Sequence, residues 1–282
     1  MSFSADWLQL RAAADSRARA TTLEAALGNA LAVYDPTGAG TIIDLGSGSG
    51  ANCRHLAPQL DQRRNWLLVD NDATLLAEAT RLCNRLLSVQ SLHTQTCDLA
   101  QQLSALPLGT ATLITGSALL DLVSQQWLEQ LVLACRQARL PALFTLSYDG
   151  RIQLQSGDDD DLSLIAAVNQ HQLGDKGFGA ALGPMASVQA AQLFCASGYD
   201  VQVAHSDWLL DASRADDAAL LQPLISGWAQ AAIEQRPECA PLFTQWCERR
   251  LQAVADRTLQ VQVGHEDVLA LPAGTGSRSA QS

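Results

Sequence analysis

The run Thr41-Ile42-Ile43-Asp44-Leu45-Gly46-Ser47-Gly48-Ser49-Gly50-Ala51 constrains the chain more than any other stretch. Ile42, Ile43 and Leu45 form the short apolar block of a strand buried on both faces. Glycines then stand at 46, 48 and 50, and Leu56 and Leu60, four apart, give the segment after Ala51 one apolar helical face. Strand, glycine turn and helix in immediate succession predict a parallel β-α unit whose turn brings bare backbone against a nucleotide-like ligand. The plain alternative is a Gly-rich turn with no ligand, and the residues downstream argue against it.

Residues 65–72 read as a second buried strand that ends in acid. Asp70 lies twenty residues after Gly50, where a carboxylate accepts two hydrogen bonds from ribose hydroxyls. Asn71 follows it, and Asp72 is placed to cap an amphipathic helix over 75–87. Residues 92–99 alternate as a third strand that ends at Asp98 and Leu99. Ala111–Ser117 is the fourth strand and Pro141–Tyr148 the fifth, with helix at 119–123 and 127–134 between them. A helix at 187–196, a sixth strand at 201–206, helices near 218–234 and 241–256, and a seventh strand over 258–271 broken at Gly264-His265 complete the pattern. Helical segments over 3–33 precede the breakers Pro36 and Gly38. Strands alternating with helices predict an α/β, Rossmann-like doubly wound sheet of seven strands. The divisions are a helical cap at 1–40, a main domain at 41–271 with an inserted segment at 149–186, and a Gly- and Ser-rich tail at 272–282 expected to be disordered.

Two cofactors compete for the glycine turn. Counting Ala51, it satisfies the G-x-G-x-x-A fingerprint of dinucleotide sites; it also reads Asp-Leu-Gly-x-Gly-x-Gly. Asp44 separates the two, since a carboxylate at the strand end repels a pyrophosphate and attracts the ammonium of a methionine moiety. On Asp44, the three glycines, Asp70 and Asp98 the chain resembles class I S-adenosylmethionine-dependent methyltransferases. The resemblance implies a mostly parallel sheet with an antiparallel seventh strand, and methyl transfer to oxygen, nitrogen or carbon of a small molecule. It implies that Asp44, Gly46, Ser47, Gly48 and Gly50 surround the methionine end, with Asp70 and Asn71 at the ribose. Asp98 then accepts from the adenine amine and the Leu99 N–H donates to a ring nitrogen. Ser117 and Asp121 face the transferred methyl group, and an arginine of the N-terminal helices, Arg17 with Arg11 and Arg19 as alternatives, meets the methionine carboxylate. An NAD-dependent oxidoreductase and a non-catalytic methyltransferase-like scaffold are the alternatives.

The segment 149–186 should wall the substrate side. Gln170 to Gly179 is expected to be a bendable polar loop, with Tyr148, Gln172, Lys176 and Phe178 as candidate substrate contacts. His171, Asp149 and Asp121 are the candidate bases for an acceptor that must lose a proton. The run Asp158-Asp159-Asp160-Asp161 is expected to be a solvated loop, since consecutive acids point apart and repel. No metal site is expected. A net charge of −11 argues against a duplex nucleic-acid partner, which would need a basic surface. No apolar run reaches membrane-spanning length, so no membrane partner is expected. Seven scattered cysteines with no C-x-x-C read as reduced thiols of a cytoplasmic protein.

Overall fold

A computed structural model describes residues 4–274. Two helices, α1 (Ala5–Ala18) and α2 (Thr21–Tyr34), precede β1 (Thr41–Leu45) and α3 (Ala51–Leu56). The alternation continues through β2 (Arg64–Asp70), α4 (Ala73–Cys83), β3 (Val89–Thr96), the short α5 (Leu99–Gln102), β4 (Ala111–Ser117), α6 (Gln125–Ala138) and β5 (Ala142–Leu154). Then follow α7 (Asp161–Gln172), α8 (Ala186–Ala196), β6 (Tyr199–His205), β7 (Trp208–Asp211), α9 (Ala215–Gln235), α10 (Ala240–Ala255) and β8 (Gln260–Pro272).

The sheet runs β3-β2-β1-β4-β5-β8-β6, and β7 pairs with the free part of β8. The first five strands in that order are mutually parallel, and β8 is antiparallel to β5, β6 and β7. This is the Rossmann-like order with an antiparallel late strand that the resemblance implied. The chain reverses its direction of winding between β1 and β4, and a ligand crevice opens there at the carboxyl ends of the strands. On one face of the sheet Leu128, Leu131, Val132 and Phe194 of α6 and α8 pack on Ile43, Leu45, Ile114 and Phe144. On the other, Leu27, Leu31, Leu56 and Leu76 pack on Ile42, Leu68, Leu113 and Leu269. A third core joins α7, α9 and α10 to β7 and the outer parts of β5 and β8 through Leu164, Trp228, Phe243 and Trp246.

Several boundaries differ from the sequence expectations, each for a physical reason. β5 does not stop at Tyr148 but runs to Leu154, because β8 pairs with it past the expected end, Ile152 with Val263 and Leu154 with Val261. Residues 149–154 are therefore sheet, and the inserted segment begins after them. The last strand is unbroken through Gly264 and His265. A Cβ at Gly264 would stand 2.2 Å from Asp149 Oδ1, so this glycine lets β8 pass Asp149 rather than ending the strand. β7 is an eighth strand that the sequence expectation lacks. β3 ends at Thr96, and Asp98 caps α5 instead, accepting from the Ala100 N–H at 3.0 Å. α7 continues through Gln172, so Gln170 to Gln172 are helical and not loop.

The acid run is not a solvated loop. Arg249 bonds Asp158 and Asp160, while buried Arg250 pairs with Asp161, which also accepts from Trp246 Nε1 at 2.7 Å. The run is the dock for α10. Of the expected disordered tail, Pro272 closes β8 opposite Tyr199, residues 273–274 form a turn, and 275–282 lie outside the described residues. Among the described residues no helix is long and apolar enough to cross a membrane.

Candidate cofactor and active site

The glycine turn has a conformation that the sequence dictates. Gly46, Gly48 and Gly50 all take positive φ, at 60°, 51° and 80°. At Gly50 a Cβ would also meet Cys83 Sγ at 2.7 Å, which is how α4 packs directly on the turn. Asp70 fastens the turn from β2: one carboxylate oxygen accepts from the Gly48 N–H at 2.8 Å, the other from the Asp72 N–H at 3.0 Å. Asp72 caps α4, accepting from Thr74 and Leu75.

A cleft opens above this turn. Its floor and one wall are Gly46 to Ser49, Asp70 to Asp72, and Cys97 to Leu99; Ser117 to Leu119 and Leu122 close the end next to β4. Leu8, Arg11 and Asp15 of α1 cover it from above, and Lys176, Gly177 and Phe178 close the remaining side. The structure thus brings together Gly46, Ser47, Gly48, Asp70, Asn71, Asp98, Leu99, Ser117, Lys176 and Phe178 of the expected set. Ala118 leaves β4 at φ 52°, its N–H held by the Thr145 carbonyl at 2.8 Å. That turn sets Ser117 and Leu119 on the cleft wall.

Asp44 lies beneath the cleft floor rather than in its lining. It is fully buried, and burial pushes its carboxyl up to about 7 even though Asn52 donates to Oδ1 at 2.8 Å. Its Oδ2 has no partner among the described residues. Asn52 does line the cleft, and it also accepts from Arg19 Nη1 at 2.8 Å. Asp44 therefore reaches the cleft through Asn52. Sequence reasoning passed over Asn52, whose signal was a polar side chain in the first turn of α3 just past the last glycine.

Arg17 does not serve the site: it pairs with Asp217 at the start of α9. Arg11 is the arginine over the cleft, held by Asp15 at 2.9 and 3.0 Å and stacked 4.9 Å above the Trp208 ring. Arg19 is buried against Glu24 at 3.0 Å and lines an adjoining recess, which shares Asp15, Asn52 and Ser117 with the cleft, together with Ser16, His55 and Leu146.

His171 points away from the cleft, its Nε2 3.1 Å from Glu234 Oε2 across the α7–α9 contact. Gln172 stands beside it in α7, outside the cleft lining. Asp149, in β5, is held by the Arg151 backbone N–H at 2.9 Å and by its guanidinium, and lies outside the cleft lining. Tyr148 donates its hydroxyl to Asn169 Oδ1 at 2.7 Å and meets His265 edge-on, so it supports the wall without lining it. Of the three candidate bases, Asp121 alone stands by the cleft, between the lining residues Leu119 and Leu122. Burial pushes its carboxyl up to about 6, against the fields of Arg11 and Lys176, and its Oδ1 has no partner among the described residues. Phe178 is fixed edge-on to Trp127 at 5.4 Å.

No protein-family model matches the chain, and no curated protein matches it. Among solved structures it is similar to phosphoethanolamine N-methyltransferase 2 of Haemonchus contortus in complex with phosphomonomethylethanolamine and S-adenosylhomocysteine (16% identity, TM-score 0.43). That match covers 86% of this chain and 52% of the other, so this chain spans about half the length of that protein. It is also similar to the cyclopropane synthase MmaA2 of Mycobacterium tuberculosis (11% identity, TM-score 0.45, 87% and 83% covered). A third is geranyl diphosphate C-methyltransferase of Streptomyces coelicolor (12%, 0.41, 88% and 77%). The fold of this chain, read from its own strand order, is the Rossmann-like doubly wound sheet with an antiparallel strand β8.

Proposed function

We propose that the protein transfers a methyl group from S-adenosylmethionine to a nucleophilic oxygen, nitrogen or carbon atom of a small molecule. The observation that carries this reading is the positive-φ glycine turn fastened by Asp70, with Asp98 and Leu99 at the start of α5 just past β3 and Asn52 linking the cleft to buried Asp44. These groups fit the cofactor in kind. Asp70 and Asn71 offer acceptors for ribose hydroxyls, Asp98 an acceptor for the adenine amine and Leu99 a backbone donor. Arg11 offers a cation for the methionine carboxylate.

The sulfonium of the bound cofactor supplies an activated methyl group with a neutral thioether as its leaving group. The chain's own work is to align the acceptor with it and exclude water. Leu8 and Leu122 are the apolar groups of the cover and end wall suited to that exclusion. Where the acceptor must lose a proton, Asp121 is the group to take it, since burial has raised its carboxyl toward neutrality. Seven unbridged cysteines, four of them buried, support a reducing, cytoplasmic setting.

The test is a thermal-shift comparison. S-adenosylhomocysteine at about a hundred times its Kd should stabilise the protein by about 2.7 kcal/mol and raise Tm by several degrees. NAD should leave Tm unchanged. A shift with NAD and none with S-adenosylhomocysteine would reverse the assignment.

A further inference from the structure

Among the described residues four cationic side chains are buried: Arg19, Arg64, Lys176 and Arg250. The three arginines each face a carboxylate, Glu24 at 3.0 Å, Asp35 at 2.5 Å and Asp161 at 2.6 Å. Lys176, 9% exposed, has no such partner within 4.0 Å among the described residues. Its Nζ makes one hydrogen bond, to the His171 carbonyl at 3.3 Å, which leaves two of the three ammonium donors without a protein acceptor. A buried ammonium in that condition is unfavourable unless something else supplies the countercharge.

The neighbouring acids are engaged elsewhere. Asp175 accepts from the N–H groups of Gly177 and Gly179, at 2.7 and 3.0 Å. Glu234 is held by His171 and Gln230. Asp121 feels the field of Lys176 but makes no ion pair with it within 4.0 Å. Arg11, the other cation at the cleft, is the one assigned to the methionine carboxylate, and a two-pronged bond to Asp15 holds it in place.

The segment that carries Lys176 is fixed. Ala181 bridges Ser124, the Leu182 N–H donates to the Val123 carbonyl at 2.8 Å, and Asp175 bridges Ala180. This pinning holds Lys176 in the cleft wall beside Phe178, with Leu8 and Leu122 among the apolar residues of the same cleft. A fixed cation short of acceptors, set among apolar side chains, is a receptor for an anion on an apolar body.

We propose that Lys176 anchors the methyl acceptor, and that the acceptor is an apolar small molecule bearing a carboxylate or a phosphate monoester. The proposal rests on the methyl-transfer reading for the role of the ligand, but the anion site itself is readable without it. Calorimetry on the protein saturated with S-adenosylhomocysteine tests it, with benzoate, phenyl phosphate and benzamide as probes. At least one of the two anions should bind about tenfold more tightly than isosteric neutral benzamide, and the tighter of the two identifies the headgroup. Lys176→Met should abolish the preference while S-adenosylhomocysteine affinity stays within about threefold; Lys176→Arg should retain the preference.

Equal binding of anions and benzamide to the unaltered protein overturns the proposal, as does a preference that survives in Lys176→Met. A tenfold or greater loss of S-adenosylhomocysteine affinity in Lys176→Met also overturns it, because the lysine would then hold the methionine carboxylate. If the unaltered protein does not bind S-adenosylhomocysteine, the methyl-transfer reading fails. The same titrations on the free protein then decide the anion site, for it if Lys176→Met removes the preference and against it otherwise.

Discussion

At the scale of single residues, Asp70 carries two duties, and both should be visible in one variant. Asp70→Ala removes the ribose acceptor, worth two charge-assisted bonds of about 1.5 kcal/mol each, and should weaken S-adenosylhomocysteine binding about a hundredfold by calorimetry. It also releases the Gly48 and Asp72 N–H groups, so its Tm should fall without ligand. Asp121→Asn should abolish any rise in kcat/KM near pH 6 while leaving S-adenosylhomocysteine affinity unchanged, since only the ionised carboxylate accepts a proton. His265, buried between Tyr148 and Trp208, is pushed down to about 3 by burial. Between pH 6.5 and 3 the unfolded chain binds a proton there that the folded chain refuses, so stability falls as pH drops through that window. Urea unfolding of His265→Gln should show a shallower loss from pH 6.5 to 4. Asp70 was legible because motif spacing fixes the strand end it occupies, and Asp98 because it follows the end of β3 by two residues, although as a helix cap. The choice among Arg11, Arg17 and Arg19 was not, because it depends on helix phase: at about 100° per residue Arg17 lies roughly 120° around α1 from Arg11. That rotation turns Arg17 to Asp217.

At the scale of elements, the acid run and α10 give a paired expectation. Arg250→Met leaves Asp161 buried with its ion pair broken and should cost about 3–5 kcal/mol in chemical denaturation. Arg249→Met breaks an exposed pair and should cost about 1 kcal/mol or less. The sequence could not show this dock, because the acids and their arginines stand some ninety residues apart. The same holds for the lengths of β5 and β8. Each extends past its own apolar pattern only because the other lies alongside, and Gly264 reads as a breaker until Asp149 is seen beside it. β7, four residues long, offers too short an alternation to announce itself. By contrast β1, β2 and β4 were legible from their apolar blocks, which a strand buried on both faces requires.

At the scale of the whole molecule, α1 ties two halves together across the cleft. Ser16 meets His55 on the glycine-turn side at 2.9 Å, whereas Asp15 accepts from Trp208 Nε1 at 3.1 Å and Arg17 pairs with Asp217 on the side of α9. Only Ala14 of this helix is buried, with Trp7, Leu10 and Ala18 packed on the third core while partly exposed, so polar latches supplement a thin apolar contact. Hydrogen exchange should therefore be faster in α1 than in α2, which buries Leu23, Leu27 and Leu31, and S-adenosylhomocysteine should slow α1 selectively. The doubly wound order was readable from the alternation of strands and helices; the bridging role of α1 was not, since its partners come from α3, β7 and α9. One further consequence concerns how the chain is made. β8 is last of the strands in sequence, yet it sits inside the sheet, with β5 along one edge and β6 and β7 along the other. A ribosome delivers residues from the N-terminus, so β3, β2, β1, β4 and β5 can assemble while the nascent chain is still tethered. Until residues 260–272 emerge, β5, β6 and β7 each present an unpaired edge, and the growing polypeptide is most exposed to strand-swapping with its neighbours on a polysome during that interval.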